Sequence, residues 1–346
     1  MSIFDLIKAP ELTSYWEEHT QDMPPYLGEE LFPADKKLGL KLDWIKGANG
    51  LPVVLKPSAF DVGAVPRPRI GFEKLSTQMP FFKESTYIDE ELRQELNMVL
   101  ETGNQAYIDA VTRRVFADEI HLLNGARARR EQMRMMALTT GAIAITANGQ
   151  AYNYDYNLPE DHKVTADTSW SNVNADVVED LRKWMDKAEE DTGIRPTRGV
   201  CTRKTWGYLR RNQNIIKSLF VLSNGQVGAI SDARLTQYLM DELGLELVIY
   251  GKRFKDDTGA ATGFVPDDMV SLFPAGQLGT TWFGTTPEES DLMGGKVANV
   301  SITDVGVAVT TIEKADPVNV ETKVTMICLP SFEAADSVMI CDVIAG

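Results

Sequence analysis

Apolar residues at Ile108, Val111, Val115, Ile120, Leu123, Ala126, Met133 and Met136 recur mostly at three- to five-residue intervals, with no proline before Gly141. That spacing predicts one helix over about residues 104–138, roughly 50 Å long at 1.5 Å per residue. It carries Arg113, Arg114, Arg127, Arg129, Arg130 and Arg134 against Asp118, Glu119 and Glu131, which reads as a solvated polar face with some intrahelical pairs. Its methionines read as packing residues. Upstream, Leu92, Leu96 and Leu100 predict a shorter helix capped by Asp89 and ended by Gly103.

Downstream the period changes to two. Residues 142–146 and 152–156 alternate around Asn148-Gly149, a strong hairpin signal, with Tyr152, Tyr154 and Tyr156 on one face. Residues 165–290 then mix helices and strands. One helix is capped by Asn174, runs through Leu181, Trp184 and Met185, and closes at Gly193. A strand over 199–202 leads to a helix with Trp206 and Leu209. Ser231 or Asp232 starts another, closed by Gly244, and a strand covers 247–250. The end, residues 298–344, is rich in β-branched strand residues. The long helix and these last strands bracket the α/β portion, so one domain is inserted into another.

The first 80 residues have less core to offer. Residues 1–35 contain four prolines and a short helical piece over 11–19, and a polar arm of this kind finds order on a neighbour or on the rest of the chain. Leu40, Leu42 and Trp44 alternate with Lys41 and Asp43, and further extended segments cover 51–56 and 67–78. This proline-punctuated β excursion resembles a reaching loop, since an isolated hairpin is marginal in water.

Charge sharpens this picture. Residues 1–35 hold eight acids against Lys8, and residues 36–75 hold eight bases against Asp43, Asp61 and Glu73. Between 195 and 217 lie seven bases and no acid. The whole chain of 346 residues is at −15, which argues against a surface devoted to gripping nucleic acid. No stretch approaches the roughly 20 apolar residues of a membrane span, and Met1-Ser2-Ile3-Phe4-Asp5 lacks a basic region followed by an apolar one, so neither a secretory signal nor a membrane partner is expected. Cys201, Cys328 and Cys341 are unpaired in spacing and predict free thiols in a reducing compartment.

Candidate chemistry is sparse. His19, His121 and His162 show no zinc-ligand spacing and read as surface or packing residues. No phosphate loop or nucleophile elbow is present. The glycines of Gly276-Gln277-Leu278-Gly279 precede a strand over 280–283, where a phosphate site requires a helix. Asp256-Asp257 and Asp267-Asp268 have the composition of a cation site, but their turn residues favour a solvated loop. No catalytic residue, metal ligand or cofactor is assigned.

The order of these parts carries a resemblance. A proline-rich arm leads into Glu30-Leu31-Phe32-Pro33, then a basic β excursion, then a long helix ending Arg129-Arg130-Glu131-Gln132-Met133-Arg134-Met135-Met136-Ala137-Leu138-Thr139-Thr140-Gly141. A hairpin, an inserted α/β domain and a β-rich end follow. Over essentially its whole length the chain resembles the tailed-bacteriophage major capsid proteins of the lambda head-protein (E) family. The resemblance implies an α+β Hong Kong 97 capsid fold. Its parts would be an N-arm (1–35), an extended β-hairpin E-loop (36–80) and a P-domain with spine helix and hairpin (81–164). An inserted α/β A-domain (165–295) and returning strands (296–346) complete it.

The implied function is structural. Copies of a major capsid protein form the hexamers and pentamers of an icosahedral shell around double-stranded DNA, assembled in the host bacterial cytoplasm. Implied partners are the chain itself, a separate scaffolding protein (the arm leaves no room ahead of it for a fused one), a portal, a decoration protein and non-specifically packaged DNA. The fold also serves encapsulin-like compartments, which the arm, loop and signature stretches disfavour. A soluble α/β enzyme needs a convergent polar pocket, and its residues are not found. Two inter-subunit contacts are expected. Arm acids Glu17, Glu18, Glu29 and Glu30 meet loop bases Lys36, Lys37, Lys41 and Lys46 of another copy. Arg210 and Arg211, with Arg198, Arg203 and Lys204, either face Glu288, Glu289 and Asp291 of an adjacent A-domain around the capsomer axis or form a DNA-facing inner patch.

Overall fold

The computed structural model describes residues 8–46, 73–87, 105–147, 149–220, 229–256, 258–293, 298–315 and 318–344, together with 90, 94, 97, 98 and 101. The expected cap Asp89, the face of Leu92, Leu96 and Leu100, the Gly103 end, the extended segment 51–56 and Asp257 lie outside these residues.

The chain opens with helices α1 (Ala9–Gln21) and α2 (Leu27–Leu31) and strands β1 (Ala34–Lys36), β2 (Lys41–Lys46), β3 (Glu73–Gln78) and β4 (Phe81–Tyr87). The long helix α3 (Gln105–Thr140) leads into β5 (Ala142–Ala147), β6 (Gln150–Asp155) and β7 (Lys163–Thr165). Then come α4 (Val177–Thr192), β8 (Arg198–Cys201), α5 (Arg203–Arg211), α6 (Gln213–Leu219), α7 (Asp232–Leu243) and β9 (Glu246–Ile249). Strands finish the chain: β10 (Arg253–Lys255), β11 (Ala261–Gly263), β12 (Met269–Phe273), β13 (Thr281–Phe283), β14 (Asn299–Thr303), β15 (Val307–Ala315), β16 (Val318–Pro330) and β17 (Met339–Asp342). The α3 bounds match the helix that the apolar spacing predicts. Its end is set by Gly141, whose φ of +73° is left-handed and whose N–H bonds Ala137 O.

Two compact units emerge. The first gathers residues 1–42, 76–133 and 280–331. Its sheet is ordered β1-β13-β16-β15-β14, with β4 also on β16. The 13-residue β16 is the organiser: it pairs antiparallel with β15 over 318–326, with β4 over 321–327 and with β13 over 328–330. Strand β1 adds in parallel to β13. The arm does not need a neighbour to be ordered. Pro10 starts α1, and Ala9, Leu12 and Trp16 form a stripe at helical spacing, fully buried where α1 packs on β14 and β15.

Three of the α3 arginines are not on a solvated face, whereas Arg113 is exposed. Arg127, Arg130 and Glu131 are buried in this unit, and Arg134 farther along is buried as well. Arg127 donates from Nε and Nη2 to the two oxygens of Glu29 at 2.8 and 2.9 Å, with its guanidinium over the Tyr26 ring. Gly28 N–H donates to Glu131 Oε1 at 3.1 Å, so α3 caps the start of α2. Arg130 Nη2 donates to Asp304 Oδ2 at 2.6 Å, and Trp16 Nε1 donates to Asp304 Oδ1 at 3.2 Å. A buried guanidinium is tolerable only when paired and bonded in this way.

The second unit gathers residues 43–75, 134–279 and 332–346. A five-stranded sheet, β7-β17-β12-β8-β9, carries helices α4 to α7 around a core that includes Trp170, Leu181, Trp184, Leu209, Leu239 and Leu272. The N-cap of α4 is Asp176 rather than Asn174, which instead donates its N–H to Asn172 Oδ1 in the preceding turn. Gly193 ends α4 in the left-handed region, as expected. Hairpin β5–β6 pairs Ile143 with Tyr154 and Ile145 with Tyr152, and the rings of Tyr152 and Tyr154 stack on one face.

The division departs from the expected domain edges. Residues 280–295, expected in the inserted domain, fall in the first unit, because β13 pairs with β16 and Glu288 is tied to that strand. The C-terminal β17 falls in the second, between β7 and β12. Glu288 is buried, with Lys323 Nζ at 2.7 Å from Oε1 and Thr325 Oγ1 donating to Oε2. Burial pushes this carboxyl up, but the Lys323 and Thr325 bonds together hold it below the usual glutamate range.

Two outcomes follow. Trp16→Ala removes a fully buried ring and should cost about 3–5 kcal/mol. Amides of 9–21 should then exchange rapidly while β15 and β16 stay protected. Unchanged melting and exchange would show that this ring does not hold the arm. Lys323→Met leaves Glu288 buried without its counter-charge and should cost about 3–5 kcal/mol at pH 7. The lowered carboxyl contributes stability above its ordinary value of 4.5 that is lost as pH falls through the folded value. The gap between wild type and variant should therefore narrow below about pH 4.5, measured by urea melts across pH.

Candidate assembly surfaces

The charged arm and loop residues divide into two groups. Glu29 is bound bidentately by Arg127, and Lys36 is ion-paired to Glu289, both inside the chain. Glu17, Glu18 and Glu30 are exposed on α1 and α2; Lys41 is exposed on β2 and Lys37 half-buried just after β1. Lys46 lies at the end of β2, with its side chain outside the described residues. Within the chain Glu29 and Lys36 thus have partners at home, and the other described residues of the set are spread over α1, α2, β2 and the residue after β1.

Most of the bases from 195 to 217 meet acids from elsewhere in the second unit. Arg195 reaches Asp186 and Glu189; Arg198 is 3.7 Å from Glu246; Lys204 Nζ is 2.6 Å from Asp268. Arg210 Nε donates to Ile230 O at 2.7 Å and lies 3.2 Å from Asp232, whose Oδ1 also accepts Trp206 Nε1. Arg211 is exposed, donates to Gly207 O and lies over the Tyr208 ring. Two of the acids expected opposite these arginines, Glu288 and Glu289, are engaged by Lys323 and Lys36. The basic run in sequence is therefore largely offset in space, with Arg211 and Lys217 exposed.

Reactive chemistry has little to build on among the described residues. Asp161, His162 and Asp191 converge closely enough to suggest a metal site. Lys187 Nζ, however, sits 2.7 Å from both Asp161 and Asp191 and already supplies the cation. Its hydrogen bonds hold both carboxyls below their usual range. Buried His162 bridges Asp191 Oδ2 at 3.0 Å and Val338 O at 3.2 Å, a packing role. Burial pushes the Cys201 thiol up to about 12 and Cys341 well up, so neither is poised as a nucleophile. Asp256 Oδ1 accepts from Thr258 N and Ala260 N, closing the tip of the β10–β11 hairpin. No described helix is long and apolar enough to cross a membrane.

What the molecule offers instead is surface. Leu38 is 86% exposed, and Leu40, Phe81 and Tyr87 are exposed too, all in the first unit around the root of the β excursion. The residues that the sequence reading missed are the arm's socket: Arg127, Arg130 and Glu131. Their signal was available, because spacings of three and four place them on one face of α3 with buried Leu123 and Ala126.

Comparison with known proteins agrees with this picture of a structural subunit. The family model for phage major capsid protein E matches residues 8–343. The fold is similar to that of the capsid protein assigned to a prophage of Escherichia coli CFT073 (TM-score 0.60, 15% identity, covering 97% of this chain and 99% of that one). It is also similar to a phage-related protein of Bordetella bronchiseptica RB50 (TM-score 0.55, 13% identity, covering 97% of each). A third likeness is to the capsid of cyanophage A-1(L) (TM-score 0.50, 10% identity, covering 92% of each). At such identities the likeness establishes the fold, that of the Hong Kong 97 capsid proteins. Direct comparison with curated protein sequences gives no match. With a family model spanning all but the first seven and last three residues, the chain belongs to the phage major capsid protein E family, which is built of shell proteins and not of enzymes.

Proposed function

We propose that copies of this chain assemble into the hexamers and pentamers of an icosahedral phage shell around double-stranded DNA. The family match over residues 8–343 carries this reading. The exposed Leu38, Leu40, Phe81 and Tyr87 support it, since apolar side chains open to water on a lone subunit gain on burial against a copy. In family terms residues 1–35 are the N-arm and 36–80 the E-loop. The first unit supplies the P-domain and the second the A-domain, with the edges moved to the contact boundaries at 133, 279 and 331. Assembly in the host cytoplasm draws on a separate scaffolding protein, a portal and a decoration protein. At a net charge of −15 the wall does not grip its cargo, so packaged DNA is contained without sequence-specific contact. Purified protein should form closed particles by negative-stain microscopy and elute as hexamers or megadalton species. A monodisperse small oligomer under all assembly conditions would defeat the reading.

The electrostatic contact between copies is narrower than sequence alone suggests. The contact draws on the exposed arm acids Glu17, Glu18 and Glu30 and on the loop bases Lys37, Lys41 and Lys46. Each exposed pair is worth only about 0.2–1 kcal/mol and is screened beyond about 8 Å at physiological salt. Reversing the three lysines to Glu should block particle formation, and reversing the three acids to Lys in the same chain should restore part of it. Particle yield that is indifferent to the lysine reversal, at low and high salt alike, would remove this contact. Arg210 and Arg211 remain candidates for the contact around the capsomer axis, with acids other than Glu288 and Glu289 opposite them.

A further inference from the structure

The β14–β15 hairpin turns through Asp304, Val305 and Gly306, between the paired residues Thr303 and Val307. Asp304 (φ +46°) and Val305 (φ +73°) are both left-handed. A short polar residue tolerates that conformation, and hairpin turns favour Asn, Asp and Gly there. A β-branched residue does not, because its Cβ substituents crowd the backbone. The conformation is imposed from both sides. The Asp304 carboxylate is held by Arg130 Nη2 at 2.6 Å and by Trp16 Nε1 at 3.2 Å. Gly306 lies flush on β13, where a Cβ would fall 2.5 Å from Phe283 Cβ. Val305, between these two anchors, is 46% exposed. Its side chain thus gains little from burial in the lone chain, while its backbone is strained.

Strain of this kind persists where the surroundings over-determine it, and it concentrates at functional positions. Here the strained residue presents an isopropyl group at the apex of a turn locked to α1, α3 and β13. A rigid apolar apex is suited to a contact, since little conformational freedom remains to be lost on docking. The proposed function, on which this rests, supplies the partner: a shell subunit is surrounded by copies of itself. A receiving surface of matching chemistry exists on the chain. Leu38, Leu40 and Phe81 are exposed near Gly284, whose added Cβ would meet Gly39 O at 2.8 Å and Ile327 Cγ2 at 2.9 Å, and Ile327 pairs with Phe81.

We propose that Val305 is a contact between subunits, its side chain seated on the apolar surface of a second copy of this chain. The test separates the strained backbone from the side chain. Val305→Asn keeps the left-handed turn, relieves the crowding and removes the apolar group. Asn is preferred to Gly because Gly also loosens the unfolded chain and masks the relief. Full-length V305N, held below its assembly concentration, should melt about 2 °C or more above wild type. The concentration at which it forms particles, followed by light scattering, should rise about tenfold or more. Val305→Ile, which retains the branched apolar group, should melt and assemble as wild type does. A V305N that assembles at the wild-type concentration overturns the contact. A V305N that melts below wild type overturns the strain on which the argument stands. Failure of the wild-type chain to form particles at all would count against the shell reading itself and is read separately.

Discussion

The place of the arm in the first unit depends on three charged side chains held away from water on α3. Arg127, Arg130 and Glu131 occupy one face of that helix and take, in turn, the carboxylate of Glu29, the carboxylate of Asp304 and the free N–H of Gly28. Removing any partner strands a buried charge, which typically costs about 3–5 kcal/mol, far more than an exposed pair. The arm is therefore fixed in register by chemistry that bulk salt reaches poorly. Apolar packing by Ala9, Leu12 and Trp16 supplies the area, and the charges supply the address. The same carboxylate of Asp304 links the arm helix, the long helix and the β14–β15 turn, so these three elements form or fail together.

The second unit solves its charge balance differently. Its acids and bases meet at or near the surface: Arg195 with Asp186 and Glu189, Lys187 with Asp161 and Asp191, Lys204 with Asp268. Pairs this exposed add little to stability. Their effect is to offset most of the bases between 195 and 217, leaving Arg211 and Lys217 exposed. Stability in this unit comes from the core between sheet and helices, where Trp170 stacks on Trp184 and gives its N–H to Asp180. Burial holds the Asp180 carboxyl above its usual range against that bond.

Local periodicity made most of the elements legible in advance. The span of α3, the β5–β6 hairpin, the Gly193 and Gly244 stops and the strand at 281–283 all follow from spacing and turn chemistry. What the sequence conceals is long-range pairing. Arg127 and Arg130 look like surface residues by type although their spacing puts them on the apolar face; their partners arrive from α2 and from the β14–β15 turn. The run from 195 to 217 looks basic because its acids arrive from residues 186–189, 232, 246 and 268. The domain edges at 279 and 331 were hidden for the same reason. They are set by which strand β13 and β17 join, and a strand's own residues do not name its neighbour.

This division of labour has a consequence for a subunit that must both fold alone and join copies. Had the strongest charges been left for neighbours, each unassembled subunit would carry unpaired buried groups and would be unstable until captured. Here the buried pairs close within the chain: Glu288 on Lys323, Glu29 on Arg127, Asp304 on Arg130. What the surface leaves exposed is weak one by one: leucines, lysines and glutamates, and a strained turn. Weak contacts let a misplaced subunit leave, whereas repetition over several contacts makes a closed arrangement hold through effective concentration. The order of strengths, strong inside and weak outside, is thus the one that a self-correcting assembly requires.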